Sequence, residues 1–100
     1  MVRIVWTPQS ADDLENIKEY IAHDSLQRAE IIVRSIIKKI LLLRDFPLIG
    51  RIVPDINDPI VRETFRLPYR IVYRHIESEQ VIEIITIRHS SRLPNISTDE

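Results

Sequence analysis

Near Ile60 the hydrophobic period of this chain changes from helical spacing to strict alternation. Two apolar helices followed by a run of strands bury their apolar sides by packing a helix layer on a sheet. The pattern therefore predicts an α+β domain of order β-α-α-β-β-β.

The elements follow from local chemistry. VRIVW (2–6) is a short strand. Thr7-Pro8 starts a helix, with Thr as N-cap and Pro at the first helical position. Ala11, Leu14, Ile17 and Ile21 mark its apolar face, and it ends near His23. Asp24 or Ser25 caps a second helix. Its stripe is Ala29, Ile32, Val33, Ile36, Ile40 and Leu43, widened by Ile37 and Leu41, and Phe46-Pro47 stops it. The short connection implies an antiparallel pair.

Gly50 is expected to take a positive-φ turn, Ile52 to Pro54 a short extended piece, and Asn57-Asp58-Pro59 a turn. VRETFRL (61–67), YRIVYRHI (69–76) and VIEIITIRH (81–89) are strands, the last two joined by a turn over 77–80. One domain, 1–100, is expected, with 94–100 as a frayed tail. The expected core sets the two helices against Phe65, Ile71, Tyr73, Ile85 and Ile87.

Several function classes fall away. With no cysteine there is no disulfide or thiolate chemistry, and a single glycine rules out a glycine-rich phosphate loop. His23, His75 and His89 have no metal-ligand spacing, and Ser90-Ser91 beside His89 lack a carboxylate to complete a triad. No metal or cofactor is expected. No apolar run approaches the roughly eighteen residues of a membrane span, and MVRIVW does not read as a signal peptide. A cytoplasmic location is the expectation.

The charge distribution carries the functional signal. Net charge is −1, yet Asp12, Asp13, Glu15, Glu19 and Asp24 crowd one segment. Six of the eleven arginines lie between Arg62 and Arg92, with no lysine among them. Arg62, Arg66, Arg70 and Arg74 recur every four residues, interleaved with Phe65, Tyr69 and Tyr73. Around Pro68, an even register would gather these arginines on one face and Phe65, Leu67, Ile71 and Tyr73 on the other. An odd register would put arginine into the core face. The even register is therefore expected, with like charges opposed and awaiting an anionic partner. Arg51, Arg62, Arg66, Arg70, Tyr73, Arg74, Arg88 and Arg92 are the candidate binding residues. Glu63, Arg62, Arg70 and His89 are sufficient in kind for acid–base cleavage of RNA. Glu63 as an ion-paired residue and His89 as a satisfied imidazole are the alternative.

These residues resemble the RelE/ParE superfamily of toxins from type II toxin–antitoxin modules. The resemblance runs through Trp6, ADDLENIKEYIA (11–22), FPLIGRIVPD (46–55), VRETF (61–65), YRIVYR (69–74) and IRHSSR (87–92). It is closer to the ParE-like branch, because the sheet region lacks lysines and His89 is followed by Ser-Ser. The common H-x-R-R ending reads H-S-S-R here, with Ser91 where an arginine is usual. The resemblance implies a helical hairpin packed on a small twisted, mostly antiparallel sheet, and a toxin that inhibits DNA gyrase by binding, neutralised by an antitoxin whose disordered tail folds on it. The alternative it implies is a ribosome-dependent mRNA endonuclease resting on Arg62 or Glu63, Arg70 and His89. A third is an inactive, antitoxin-binding relative.

Overall fold

Two helices pack on one face of a five-stranded sheet in the structure, a computed structural model that describes residues 2–90. The elements are β1 (Arg3–Trp6), α1 (Pro8–Ala22), α2 (Leu26–Leu41), β2 (Arg51–Ile52), β3 (Val61–Arg66), β4 (Tyr69–Ile76) and β5 (Val81–His89). The sheet order is β1-β5-β4-β3-β2. Only β1 and β5 run parallel; the other neighbours are antiparallel. The expected α+β architecture holds, with the two-residue β2 as an added edge strand. The tail 94–100 and Arg92 lie outside the described residues.

Both helices begin at the caps their sequences supply. Thr7 Oγ1 accepts from Ser10 N at 3.0 Å, and Ser25, not Asp24, caps α2 by accepting from Arg28 N at 3.1 Å. From α2 and the turn after it, Ile36, Ile40 and Leu43 enter the core against Tyr69, Ile71, Tyr73, Ile82, Ile84 and Ile87. Leu14, Ile17 and Ile21 close the α1 side. The stripe of α2 is narrower than expected: Ile37 is only partly buried and Leu41 is exposed.

The hairpin register reverses the expectation. β3 ends at Arg66 and β4 begins at Tyr69, so Leu67-Pro68 is a two-residue loop. A loop of that length makes Arg66 and Tyr69 partners, and the register follows as Arg62↔Tyr73, Thr64↔Ile71 and Phe65↔Arg70. The turn geometry thus overrides the hydrophobic pattern. Arg62 and Arg66 share the helix-facing side with Tyr73 and Tyr69, whereas Arg70 and Arg74 lie on the open side with Phe65 and Val61. Arginine on the core-facing side is tolerated because the stems pack while the guanidiniums reach acceptors at the margin. Phe65 leaves the expected core for the same reason.

A bulge moves Ile85 as well. Val72 pairs with Thr86 but Tyr73 pairs with Ile84, so Ile85 is the extra residue. Ile84 and Ile82 face the helices before it; Ile87 and His89 do so after it. Ile85 instead packs with Val53, Val61, Val72 and Ile56 in a second, smaller cluster.

Gly50 also departs from expectation, since no glycine has positive φ; Asn57 and Gln80 do. Its constraint is space. A Cβ at Gly50 would sit 2.6 Å from Glu63 O and 2.7 Å from the Tyr73 hydroxyl.

Candidate functional site

The sheet divides the predicted basic face into two groups. On the helix-facing side, Arg62 and Arg66 act as ties. Arg62 Nη1 donates to Gly50 O at 2.9 Å. Tyr73 supports the same turn, donating its hydroxyl to Pro47 O at 2.8 Å and accepting from Gly50 N at 3.0 Å. Arg66 Nε donates to Ser35 Oγ of α2 at 2.6 Å, and its Nη1 donates to Leu67 O. Burial raises the Tyr73 hydroxyl above its ordinary pKa, against the opposing pull of the Gly50 N–H and Arg62.

The open side holds the second group. Antiparallel pairing of β2 with β3 sets Arg51 beside Glu63. Glu63 is buried, and its Oε2 meets Arg51 Nε at 2.6 Å. Its other oxygen lies 3.4 Å from Arg70 Nε, an ion contact without hydrogen-bond geometry. Both guanidiniums lie over the Phe65 ring, 5.6 Å from its centroid for Arg51 and 5.8 Å for Arg70. Across from Arg70 stands Arg88, placed on this side by the bulge. Further along, Arg74 pairs with Glu83 at 3.3 Å. Two guanidiniums, those of Arg51 and Arg70, thus share one carboxylate.

A cavity of about 580 Å³ opens on this side. Val53, Ile56, Val61, Val72 and Ile85 supply its apolar lining, and Thr7, Gln9, Asp58, Glu63, Arg74, Thr86 and Arg88 its polar lining. A second cavity of about 520 Å³ lies at the end of the sheet beside α1, between Tyr20, Tyr69, Ile87, Arg88 and His89. There the Tyr69 and His89 rings meet edge to face at 5.6 Å. Burial, and then Tyr20, raise the Tyr69 pKa, while Arg28 and Arg66 lower it.

The structure therefore does not assemble the nuclease set expected from residue types. Glu63 and Arg70 are on the open side; Arg62 and His89 are on the helix-facing side. Among the described residues, no group of three His, Cys, Asp or Glu side chains is placed to hold a metal, and no helix is long and apolar enough to cross a membrane.

Sequence reasoning missed the device that aims Arg88. Thr7 Oγ1 donates to Ile84 O at 2.8 Å and Ile85 O at 3.1 Å. The Asp13 carboxylate accepts from Thr86 Oγ1 at 2.5 Å and from Ile87 N at 3.0 Å. In the sequence Asp13 is one of a run of acids between residues 12 and 24. Six residues from Thr7 is well short of two helical turns, so helical spacing does not single Asp13 out as its partner.

Comparison with known proteins agrees with this architecture. A family model described as the ParE toxin of the type II toxin–antitoxin system parDE matches residues 4–94. A solved structure of the chromosomal ParDE system from P. aeruginosa matches at 25% identity and a TM-score of 0.71, covering 89% of this chain and 96% of that one. A chain of the toxin–antitoxin complex RelBE2 from Mycobacterium tuberculosis matches at a TM-score of 0.65, with 16% identity over 88% of this chain and 96% of that one, a likeness of fold. No curated protein sequence matches. On the family match over nearly the whole chain, this protein belongs to the ParE toxins of type II toxin–antitoxin systems.

Proposed function

We propose that this toxin acts by binding DNA gyrase, as a single cytoplasmic domain, and is neutralised by a cognate antitoxin whose disordered tail folds on it. The observation that carries the mechanism is the fate of Glu63. A general base needs a carboxylate free to take a proton and within reach of the same substrate as its partners. Glu63 is buried between Arg51 and Arg70, and the sheet separates it from His89 and Arg62. This favours recognition over RNA cleavage. Membership of the ParE family supports gyrase as the target, and the antitoxin complexes among the structural neighbours support the partner. On this reading Arg51, Arg70, Arg74 and Arg88 on the open side carry target contact, while Arg62, Arg66 and Tyr73 hold the fold that presents them.

The test is direct. The purified chain is expected to block supercoiling by gyrase, to be released by its antitoxin, and to leave ribosome-bound mRNA intact. New mRNA ends at A-site codons that disappear in Glu63→Ala or His89→Ala would overturn the binding mechanism in favour of a nuclease. Tight antitoxin binding with neither activity would mark an inactive relative.

A further inference from the structure

The end of the molecule around the 46–50 turn carries an apolar patch that neither the core nor the open side uses. Phe46, Leu48, Ile49 and Ile60 are each between 45% and 59% exposed. A cavity of about 380 Å³ opens beside them. Leu48, Pro59, Ile60 and Ile76 make its apolar lining, and His75, Glu77 and Ser78 its polar lining. It shares no residue with the cavity on the open side. Folded monomers rarely leave several large apolar side chains together in water without a use.

Two shapes and two charges meet at this end. The 46–49 turn is closed by Ile49 N donating to Phe46 O at 3.1 Å, and it presents both side chains to solvent. The Tyr73 hydroxyl anchors it from within, through Pro47 O and Gly50 N. A fixed apolar knob therefore stands next to an apolar recess. Exposed Arg44 lies two residues before the knob, and exposed Glu77 lines the recess. Neither side chain has a hydrogen bond or ion pair among the described residues.

We propose that this end is the interface of a symmetric dimer of this chain. Phe46 of each copy enters the recess beside Ile60 of the other, and Arg44 of each meets Glu77 of the other. Knob, recess, cation and carboxylate all lie on one patch of one chain. A two-fold axis then satisfies all four at once, which selects a second copy over an unrelated partner. Side chains make the contact rather than sheet pairing, because the edge strand β2 has only two residues to offer a ladder. The residues around the open-side cavity stay outside the contact, so the inference goes beyond the gyrase reading and does not depend on it.

Sedimentation velocity on the full chain, from low to high micromolar concentration, tests this. The mass is expected to rise from that of one chain toward that of two, with the micromolar midpoint of a small interface. Arg44→Glu and Glu77→Arg each set like charges against each other twice in a two-fold dimer. Each alone is expected to weaken association by about tenfold or more. Mixed one to one, the two variants put opposite charges at both positions, and association is expected to return. Phe46→Ser removes the knob at an exposed site, so the variant folds and is expected to stay monomeric. Wild type at the mass of one chain throughout, no gain on mixing the charge variants, or Phe46→Ser associating as tightly as wild type would overturn the proposal. Loss of gyrase inhibition in Phe46→Ser, with wild type monomeric, would also overturn it and give this end to the target.

Discussion

At the residue scale, Glu63 governs the open side of the sheet. A carboxylate with no solvent access needs compensating partners, and Arg51 and Arg70 provide them. Replacing Glu63 with alanine strands Arg70, whose side chain is 14% exposed, whereas Arg51 at 60% can turn to water. The expected loss is about 3 kcal/mol, toward the low end of the range for breaking a buried pair. Urea denaturation measures it, and a loss under about 0.5 kcal/mol, within the range of ordinary surface changes, would show that the pair is not structural. Tyr69 and Tyr73 make a second residue-scale prediction. Both have pKa values raised above 10.0 by burial. A raised folded-state pKa favours the protonated form, so the stability it contributes is complete below the unfolded value and is lost as pH rises through the folded value. The melting temperature should therefore fall above pH 10, with ultraviolet absorbance near 295 nm reporting phenolate (about pH 10 for a free tyrosine). Normal ionisation of both hydroxyls near pH 10 in the folded protein would contradict the burial.

At the element scale, each short connection sets the direction of several side chains. The two-residue Leu67-Pro68 loop sends Arg62 and Arg66 toward the helices and Arg70 and Arg74 away. The bulge at Ile85 does the same for Arg88. Asp13→Ala removes the acceptor for Thr86 Oγ1 and Ile87 N. It is expected to cost about 1–3 kcal/mol, since a buried donor is left unpaired. It should also raise the hydrogen-exchange rate of the Ile87 amide; exchange unchanged from wild type would show that the clamp contributes nothing. On α2, Ile36 is fully buried against the sheet. Ile36→Ala should cost about 2–5 kcal/mol in chemical denaturation, as for other buried isoleucines.

At the scale of the whole molecule, on the proposed function, one layer builds stability and the opposite face serves recognition. The helix-facing arginines tie the 46–51 turn and α2 to the sheet. The open-side arginines have spare donor capacity beside a cavity. Arg62→Ala is accordingly expected to lower the melting temperature and to leave the affinity of the remaining folded protein for its target nearly unchanged. Arg88→Ala should do the reverse. Paired thermal melts and binding assays distinguish the two, and equal effects on both quantities would mean that the faces are not divided in this way.

Much of this organisation is written locally in the chain. The Thr7-Pro8 start, the Ser25 cap, the apolar stripe through Ile36 and Ile40 and the alternation after Ile60 are short-range signals. Hydrogen bonding and burial act on them within one or two turns or a few strand positions, so they fixed the element order and the α+β class. The arginine cluster was equally visible as composition, and the resemblance it carried pointed to the family. Only the tertiary structure decided which way those arginines face. That depends on the length of one loop and one extra residue in β5, each of which inverts the alternation downstream. The bulge is held by Asp13 and Thr7, more than seventy positions away. The ion pair at Glu63 likewise needs β2, β3 and β4 side by side. Periodicity says which residues share a face of one strand; it does not say which face two strands share once a turn or bulge has shifted the phase between them.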